Sequence, residues 1–353
     1  MKNTFLVLHF LRSAAICLLF CATAVLAQSA DVTLFRKNGT EASWCKATNQ
    51  IAYTTRGPDD LWGIHVILPS GENDKWITQN NPLLPPFHKG TPEWHPSGRY
   101  IIFVAEKAKH PGAHKWSIPG IGNYTDIWLM TPDGKKAWQL TNTPVDAHVG
   151  IIIPFFSHDG KKVVWSQRYG DAGLLDQKKI CGWWNLKVAD FVDSPGNPHL
   201  TNIRTIKPGG VKAFNEAYGF TPDDRSIIFC SDYNQRTFWD SQIFTCSAVD
   251  GSNIKQLTEK GYNEHAFYSA DGKFIVWMTN KDNFGGTDWW KMDADGSNKC
   301  RLTFFNKRGH SEYSSKRKTA CLGGFGPDNK AFVGGVLDSI FSQTGNIYMV
   351  KLK

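Results

Sequence analysis

The sequence predicts an all-β fold: a six-bladed β-propeller built from four-stranded antiparallel blades. Three observations predict it, namely an eleven-residue pattern that recurs, a second hairpin pattern that follows it, and a repeat length close to that of propeller blades. The eleven-residue pattern begins at Ser43, Glu93, Phe155, Gly219, Phe267 and Gly324. The repeats therefore extend over nearly the whole chain, and we expect one blade per repeat.

Each copy of the first pattern has the composition of a tight β-hairpin. An aromatic residue ends one strand, and a short run of turn residues follows, such as Pro96 and Gly98 in HPSGRY. An apolar run such as Ile101–Phe103 then predicts a buried strand. The aromatic positions are Trp44, Trp94, Phe156, Phe220, Tyr268 and Phe325.

The second pattern is another hairpin with Asp-Gly at its turn and Leu-Thr at its end. It reads DIWLMTPDGKKAWQLT from Asp126, QIFTCSAVDGSNIKQLT from Gln242 and DWWKMDADGSNKCRLT from Asp288, with weaker versions at Trp62 and Trp184. Two hairpins in succession make one four-stranded sheet. The last copy has no Leu-Thr strand, so we expect Val32–Lys37 to supply its outer strand and close the ring.

The N-terminal residues have the composition of a secretory signal peptide. A basic start with Lys2 and Arg12 precedes the apolar run Ala14–Leu26, and Val25 and Ala27 fit the cleavage motif. We expect a signal peptide over 1–27, a single propeller domain over 28–353, and a periplasmic or extracellular location. No later segment is apolar for long enough to predict a membrane span.

Charge and cysteine content narrow the classes of partner. The formal net charge is +8, and no run of Lys or Arg concentrates it, so nucleic-acid binding is not expected. Six cysteines follow the predicted signal peptide, namely Cys45, Cys181, Cys230, Cys246, Cys300 and Cys321. They form no CxxC pair, which disfavours zinc-ribbon and thioredoxin-like sites. A Cys230–Cys246 disulfide and buried free thiols both remain open, and we expect a monomer.

These repeats resemble those of TolB-like propellers, the WD-like repeats of the periplasmic TolB protein and its relatives. The resemblance covers nearly all of the chain after the predicted signal peptide, and it implies a propeller that binds a partner. TolB itself carries an α/β domain before its propeller, whereas about a dozen residues separate the predicted signal from the first repeat here. Prolyl-oligopeptidase-like enzymes share such propellers, but this sequence contains no G-x-S-x-G motif.

Loop lengths predict which face of the propeller carries the function. The first and third turns of each blade lie on one face and are short, whereas the second turns and the crossovers between blades lie on the opposite face and are long. Aromatic, amide and charged side chains on this long-loop face suit a saccharide or a protein partner. The candidate ligand-binding residues are His110, His114, Trp116, Tyr169, Asp232, Asn234, Asn280, Glu216 and Glu264.

A catalytic alternative comes from a second resemblance. Propeller lyases of the oligogalacturonate type resemble this chain in their repeats and use histidine, arginine and a divalent metal, which implies a lyase acting on acidic sugars. The candidate catalytic residues on that interpretation are His148, His310, His265, Arg236 and Lys281. No cofactor is established by the sequence, and a divalent metal held by loop histidines is the one cofactor considered. Trp116 fits either a sugar-stacking platform or an anchor of its own loop.

Overall fold

The computed structural model describes residues 30–170, 181–283, 285–338 and 344–353. Within these ranges 24 strands form six four-stranded antiparallel sheets, which confirms the predicted six-bladed propeller. The predicted signal peptide, 1–27, lies outside the described residues. Among the helices of the described ranges, none has the length and apolar character needed to span a membrane.

The first three blades follow one another along the chain. Blade 1 consists of β2 (Gly39–Trp44), β3 (Ile51–Arg56), β4 (Trp62–Ile67) and β5 (Lys75–Trp76). Blade 2 consists of β6 (Lys89–Trp94), β7 (Ile101–Glu106), β8 (Thr125–Met130) and β9 (Ala137–Gln139). Blade 3 consists of β10 (Gly150–Phe156), β11 (Lys162–Gly170), β12 (Trp183–Val192) and β13 (His199–Ile206).

The remaining blades complete the ring. Blade 4 consists of β14 (Asn215–Phe220), β15 (Ser226–Ser231), β16 (Gln242–Ser247) and β17 (Lys255–Gln256). Blade 5 consists of β18 (Asn263–Tyr268), β19 (Phe274–Thr279), β20 (Asp288–Asp293) and β21 (Cys300–Arg301). Blade 6 consists of β22 (Thr319–Phe325), β23 (Ala331–Leu337), β24 (Gly345–Leu352) and β1 (Ala30–Lys37).

Strand β1 closes the ring as predicted, although it begins two residues earlier than Val32. It pairs antiparallel with β24, with Ala30 opposite Leu352 and Lys37 opposite Asn346. The outer edge of the last sheet is therefore covered by the first strand of the described residues. Because the first and last of these strands share one sheet, closure of the ring depends on their pairing.

Both faces of each blade are buried against a neighbouring blade. Ile101 and Phe103 of β7 pack with blade 1, whereas Ile102 and Val104 of the same strand pack with blade 3. Alternate side chains of a strand point to opposite faces, so a continuous apolar run serves two interfaces at once. This explains why the middle strands read as uninterrupted apolar segments.

The innermost strand of every blade contains a register shift. The shift lies between Glu264 and Phe267 in blade 5 and at the equivalent place in the other five blades. Three residues at these bulges, Thr91, Ile153 and His265, have positive φ angles near 50°. A bulge redirects side chains, and positive φ at a residue other than glycine is strained. Each bulge therefore changes the direction of nearby side chains on an innermost strand, which lines the central channel.

The six cysteines among the described residues, which are the six that follow the predicted signal peptide, are free thiols. Cys230 lies opposite Ile243, and Cys246 lies opposite Ile227, so the two sulfur-bearing residues occupy different rungs of the same ladder. The Cys230–Cys246 disulfide that the sequence left open is therefore not formed, because the register separates the two residues. Cys230 and Cys246 are both buried in blade 4 as free thiols.

Candidate functional site

The long-loop face predicted from the sequence is present. The second turns of the blades include 57–61, 107–124, 232–241 and 280–287, and the crossovers include 77–88, 140–149, 207–214, 257–262 and 302–318. The connections on the opposite face are short hairpin turns. Gly98, Gly160 and Gly272 have positive φ in three of these turns, as their Asp-Gly and Ser-Gly sequences predict. The long connections of the described residues therefore lie together on one face of the propeller.

One group of titratable residues lies on innermost strands and is called the channel cluster: Glu216, Glu264 and His265. Their ligand atoms lie within 4.8 Å of one another, although β14 and β18 belong to different blades. The Oη atom of Tyr218 donates to Oε2 of Glu216 at 3.0 Å, and Sγ of Cys230 donates to Oε1 of Glu264 at 3.7 Å. Both carboxyl groups are thus held by neighbours within the channel wall.

Burial shifts the protonation of the channel cluster toward neutral forms. Desolvation, with a contribution from the charge of Glu264, raises the pKa of Glu216 well above its usual value, and desolvation also raises the pKa of Glu264. Desolvation lowers the pKa of His265 to about 4. Since a buried group disfavours its charged form, these residues share a proton-rich, weakly charged wall. Such a wall is suited to proton transfer.

A second group lies where strand β7 meets the longest second-turn loop and is called the blade 2 cluster: Glu106, His110 and His114. The Oε1 atom of Glu106 accepts from Nε2 of His110 at 2.6 Å and from Nδ1 of His114 at 2.5 Å. The side chains of Glu106 and His110 are buried, whereas that of His114 is half exposed. Two imidazoles from one loop therefore converge on a single buried carboxylate oxygen.

His88 lies beside the blade 2 cluster and contacts Glu106. Its backbone N–H donates to Oε2 of Glu106 at 3.2 Å, and its Nε2 atom lies 4.0 Å from the same oxygen. Its Nδ1 atom accepts the backbone N–H of Trp62 at 3.1 Å, so this imidazole is neutral with its proton on Nε2. The proton-bearing nitrogen consequently faces the carboxylate.

An open cavity of about 480 Å³ lies between blades 1 and 2 on the long-loop face. We call it the blade 1–2 cavity. Trp62, which is buried, and Trp116, which is 47% exposed, both line it. Its other lining residues are Arg56, Asp60, Leu61, His88, His114, Lys115, Ile118 and Ile121. The cavity thus combines two indole rings with cationic, anionic and imidazole groups.

A second cavity of about 270 Å³ adjoins the first across Leu61 and Trp62, which line both. Its wall includes Trp76 and the amides of Gln79, Asn80 and Asn81, together with Lys89. Burial lowers the pKa of Lys89 to about 8, while the nearby carboxylates of Asp59 and Glu106 act in the opposite direction. Together the two cavities form one extended concave surface on one side of the propeller.

The structure brings some of the predicted site residues together. His110, His114 and Trp116 lie on one loop, at the blade 1–2 cavity or in the cluster behind it, and Glu216, Glu264 and His265 form the channel cluster. Two other predicted ligand-binding residues hold the backbone. Oδ1 of Asp232 accepts the N–H of Phe214 at 2.9 Å, and Oδ1 of Asn280 accepts the N–H of Tyr262 at 2.8 Å.

The remaining predicted residues are distributed around the face. His148, Arg236, Lys281 and His310 lie on four different connections between strands. The ring of His310 stacks on Phe304 with centroids 4.2 Å apart, and Nζ of Lys281 lies 4.9 Å from the ring centroid of Trp290. Tyr169 and Asn234 are exposed, on blades 3 and 4. Within the part of the chain that the structure describes, neither His148 nor His310 belongs to a group of three metal-ligand residues.

Several residues of these sites are not among those selected from the sequence, notably Glu106, Trp62 and Lys89. Glu106 ends the apolar run IIFVAE immediately before the longest loop, and a charge in that position was the available signal. Trp62 begins a repeat strand, where a core role is the natural interpretation. Trp62 lines both cavities because residues of blade 2 and its connections form the other walls.

Comparison with known proteins supports the fold. No protein-family model matches the chain, and no curated protein matches its sequence. Among solved structures, TolB from Acinetobacter baumannii superposes with a TM-score of 0.53 at 18% identity, over 87% of this chain and 65% of that one. The chain therefore spans slightly less than two thirds of that TolB.

Two further structures match over most of their own length. A protein described as a TolB from Agrobacterium tumefaciens has a TM-score of 0.55 at 15% identity, covering 90% of this chain and 91% of its own. An oligogalacturonate lyase in complex with manganese has a TM-score of 0.50 at 12% identity, covering 93% and 94%. The fold is thus TolB-like, as the repeats imply, and the likeness at these identities is one of fold.

Proposed function

We propose that the protein is a binding propeller of the periplasm or the extracellular space, whose blade 1–2 cavity binds an oligosaccharide. The observation that carries this proposal is the pair Trp62 and Trp116 in one cavity, with Trp116 half exposed to solvent. Indole rings stack on the apolar faces of sugar rings, and nearby polar groups fix their orientation. The sequence of the first residues supports the location.

The neighbouring groups fit the hydroxyl and carboxylate groups of sugars. Arg56 and Lys115 provide cationic donors in the first cavity, and Nζ of Lys115 lies 5.1 Å from the ring centroid of Trp116. The amides of Asn80 and Asn81 provide donors and acceptors in the second. Because the cavities adjoin, we propose that they accommodate more than one sugar unit.

The experiment is a calorimetric and thermal-shift screen of residues 28–353 against neutral and uronic-acid oligosaccharides. Trp116→Ala is expected to weaken the binding of a positive oligosaccharide at least tenfold, because it removes the exposed stacking ring. Trp239→Ala is the matched control, since Trp239 is 37% exposed on the second turn of blade 4. Equal loss in both variants, or no binding to any oligosaccharide, contradicts the proposal and leaves a protein partner as the candidate.

A second candidate function is a lyase acting on acidic sugars at the channel cluster. The observation that favours it is the raised pKa of Glu264 beside His265, since a general acid or base works best when its pKa lies near the operating pH. The manganese-bound lyase of the same fold supports testing divalent cations. A lyase would release unsaturated sugar products in the same screen, and Glu264→Gln would abolish them while the fold is retained.

The residues selected from the sequence for this reaction stay candidates. His148, His310, Arg236 and Lys281 are tested by single alanine variants in the product assay, alongside His265. A catalytic residue would lower turnover by orders of magnitude, whereas a residue that only contacts the sugar would lower affinity in a graded way. Binding without product in the parent protein eliminates the lyase and leaves the binding propeller.

A further inference from the structure

We propose that Glu106, His110 and His114 form a binding site for a divalent transition-metal ion of the zinc class, in the wall of the blade 1–2 cavity. The carboxylate of Glu106 is completely buried at the end of β7. A buried carboxylate needs a cation or several donors near it. Lys107, the next residue, pairs instead with Asp126, whereas the charge of Lys89 lies near Glu106 on the side of the second cavity. The groups that reach Glu106 from its loop are two imidazoles, which are also the commonest metal ligands.

The three ligand atoms are already gathered. They lie within 4.8 Å of one another, and both imidazole nitrogens approach the same Oε1 atom at hydrogen-bond distance. Around a tetrahedral zinc ion with bonds of about 2.1 Å, neighbouring ligand atoms are about 3.4 Å apart. A shift of about 1 Å therefore converts the hydrogen-bonded arrangement into a coordinating one, in which the proton of each neutral imidazole moves to its other ring nitrogen and the ion lies between the freed nitrogen and Oε1.

His114 is the ligand that can make this shift. Its side chain is half exposed, and it begins a three-residue turn, His114–Trp116, in which no residue is buried. His110, in contrast, is fixed. Its ring stacks on Tyr124 with centroids 4.5 Å apart and an angle of 14° between the planes. The site thus has two rigid ligands and one adjustable ligand.

The loop that carries the two histidines packs against Tyr124, the residue on which His110 stacks. A Cβ atom on Gly112 would lie 2.2 Å from Cε2 of Tyr124, so glycine permits the loop to pack against the ring that supports His110. Tyr124 itself has a positive φ of 56°. Glycine at a close approach and positive φ at a residue other than glycine are both common at binding sites. Gly112 and Tyr124 show these two features beside His110.

His88 holds the other oxygen of the carboxylate. Its backbone N–H donates to Oε2, and its Nε2–H faces the same oxygen from 4.0 Å. Groups that orient a ligating carboxylate in this way strengthen metal binding, because they leave one oxygen directed at the ion. Oε1 of Glu106 is therefore the atom that would coordinate.

The ligand types indicate which class of ion the site would bind. The adjoining cavity leaves room for a further ligand of that ion. Two nitrogens and one oxygen suit zinc, nickel, copper or iron, whereas calcium and magnesium prefer oxygen ligands. Three protein ligands leave a fourth position free. Both His114 and His88 line the blade 1–2 cavity, so that position faces the cavity, where water or an oxygen atom of a bound molecule would occupy it.

The test uses the untagged protein, stripped with a chelator and titrated calorimetrically with Zn²⁺ alone. One ion per chain is expected, and His114→Ala is expected to weaken the affinity at least thirtyfold. His110→Ala is expected to abolish the binding. Because His110 is buried and its loss could disturb the loop, His114→Ala is the decisive variant, with its melting temperature recorded beside it.

Two controls separate this site from others. His148→Ala changes an exposed histidine on the next crossover, and Glu216→Gln changes the channel cluster, which also holds three ligand-type residues. Neither is expected to change the affinity. Binding that survives His114→Ala but is lost in Glu216→Gln, or no Zn²⁺ binding in the parent protein, overturns the proposal. Since the probe is the metal alone, failure to bind an oligosaccharide has no bearing on this result.

A spectroscopic measurement gives an independent readout. Co²⁺ substituted into the same site is expected to show the intense visible absorption of a four-coordinate ion with nitrogen and oxygen ligands. The spectrum is expected to lose that intensity in His114→Ala and to keep it in His148→Ala. A weak spectrum of octahedral type in the parent protein would contradict the proposed ligand set.

Discussion

The Oγ atom of Ser43 donates a hydrogen bond of 2.7 Å to Oε2 of Glu93, and this bond joins the innermost strands of blades 1 and 2. Desolvation raises the pKa of Glu93 to about 8, while the bond from Ser43 acts in the opposite direction and is the smaller effect. Glu93 is therefore protonated in the folded protein near neutral pH but ionised in the unfolded chain. The stability of the ring is consequently linked to pH.

The first prediction follows from this linkage. Between pH 6.5 and 8 the folded state binds more protons than the unfolded state, so the free energy of unfolding falls as the pH rises, by roughly 1 kcal/mol per pH unit for one such group. Below pH 6.5 His265, whose pKa is lowered, contributes a trend of opposite sign. Urea denaturation across this pH range measures the slope.

The matched variant for the pH dependence is Glu93→Gln, which keeps an oxygen to accept the bond from Ser43. It is expected to flatten the slope between pH 6.5 and 8 by roughly 1 kcal/mol per pH unit. Glu72→Gln, at an exposed position, is the control and should leave the slope unchanged. An identical slope in the parent and in Glu93→Gln would show that Glu93 does not carry the linkage.

The second prediction concerns closure of the ring by β1. A chain that starts at residue 38 lacks Ala30–Lys37 and leaves the edge of β24 unpaired. Each lost backbone hydrogen bond contributes about 1 kcal/mol, so the free energy of unfolding should fall by about 5 kcal/mol or more. A chain that starts at residue 30 is the control. Equal melting temperatures for the two chains would refute a closing role for β1.

The third prediction concerns the buried pair Asp288 and Arg301 in blade 5. Oδ2 of Asp288 accepts from Nη2 of Arg301 at 2.7 Å, and the side chain of Asp288 is completely buried. Asp288→Ala leaves a poorly solvated guanidinium and should cost about 3–5 kcal/mol of stability by urea denaturation. Asp282→Ala, at an exposed position of the preceding loop, should change it by less than about 0.5 kcal/mol.

A double variant refines that test. If the cost of Asp288→Ala arises from the loss of the carboxylate beside Arg301, then the variant that also carries Arg301→Ala should lose less stability than the sum of the two single losses. Strict additivity would mean that the backbone contacts of Asp288, such as the bond from the N–H of Phe305 at 2.7 Å, account for the effect instead.

The fourth prediction concerns the thiols. Burial raises the pKa values of Cys230, Cys246 and Cys321 above the usual range, and the thiolate is the reactive form. Alkylation of the native protein at pH 8 should therefore modify Cys300 first and leave those three unmodified, as read by peptide mass spectrometry. Unfolding in urea without a reductant should expose all six thiols. Fewer than six would reveal a disulfide.

Much of the architecture follows from the sequence because the signals are local. The turn residues between Trp94 and Ile101, and their equivalents, specify hairpins within about ten residues, and six repeats specify six blades. The missing strand of the last repeat predicted β1, and the loop lengths predicted which face carries the long connections. Glu216 and Glu264, predicted as ligand-binding residues, and His265, predicted as a catalytic residue, all lie near the start of innermost strands.

The tertiary structure alone decided which side chains meet. Glu216 and Glu264 approach because β14 and β18 are the innermost strands of neighbouring blades, and no sequence period encodes which side chains of two blades meet. His110 and His114 converge on Glu106 because a loop of irregular shape folds back over the end of β7, held by contacts with Tyr124. Local backbone preferences determine strands and turns, whereas loop conformation and packing between blades determine the sites.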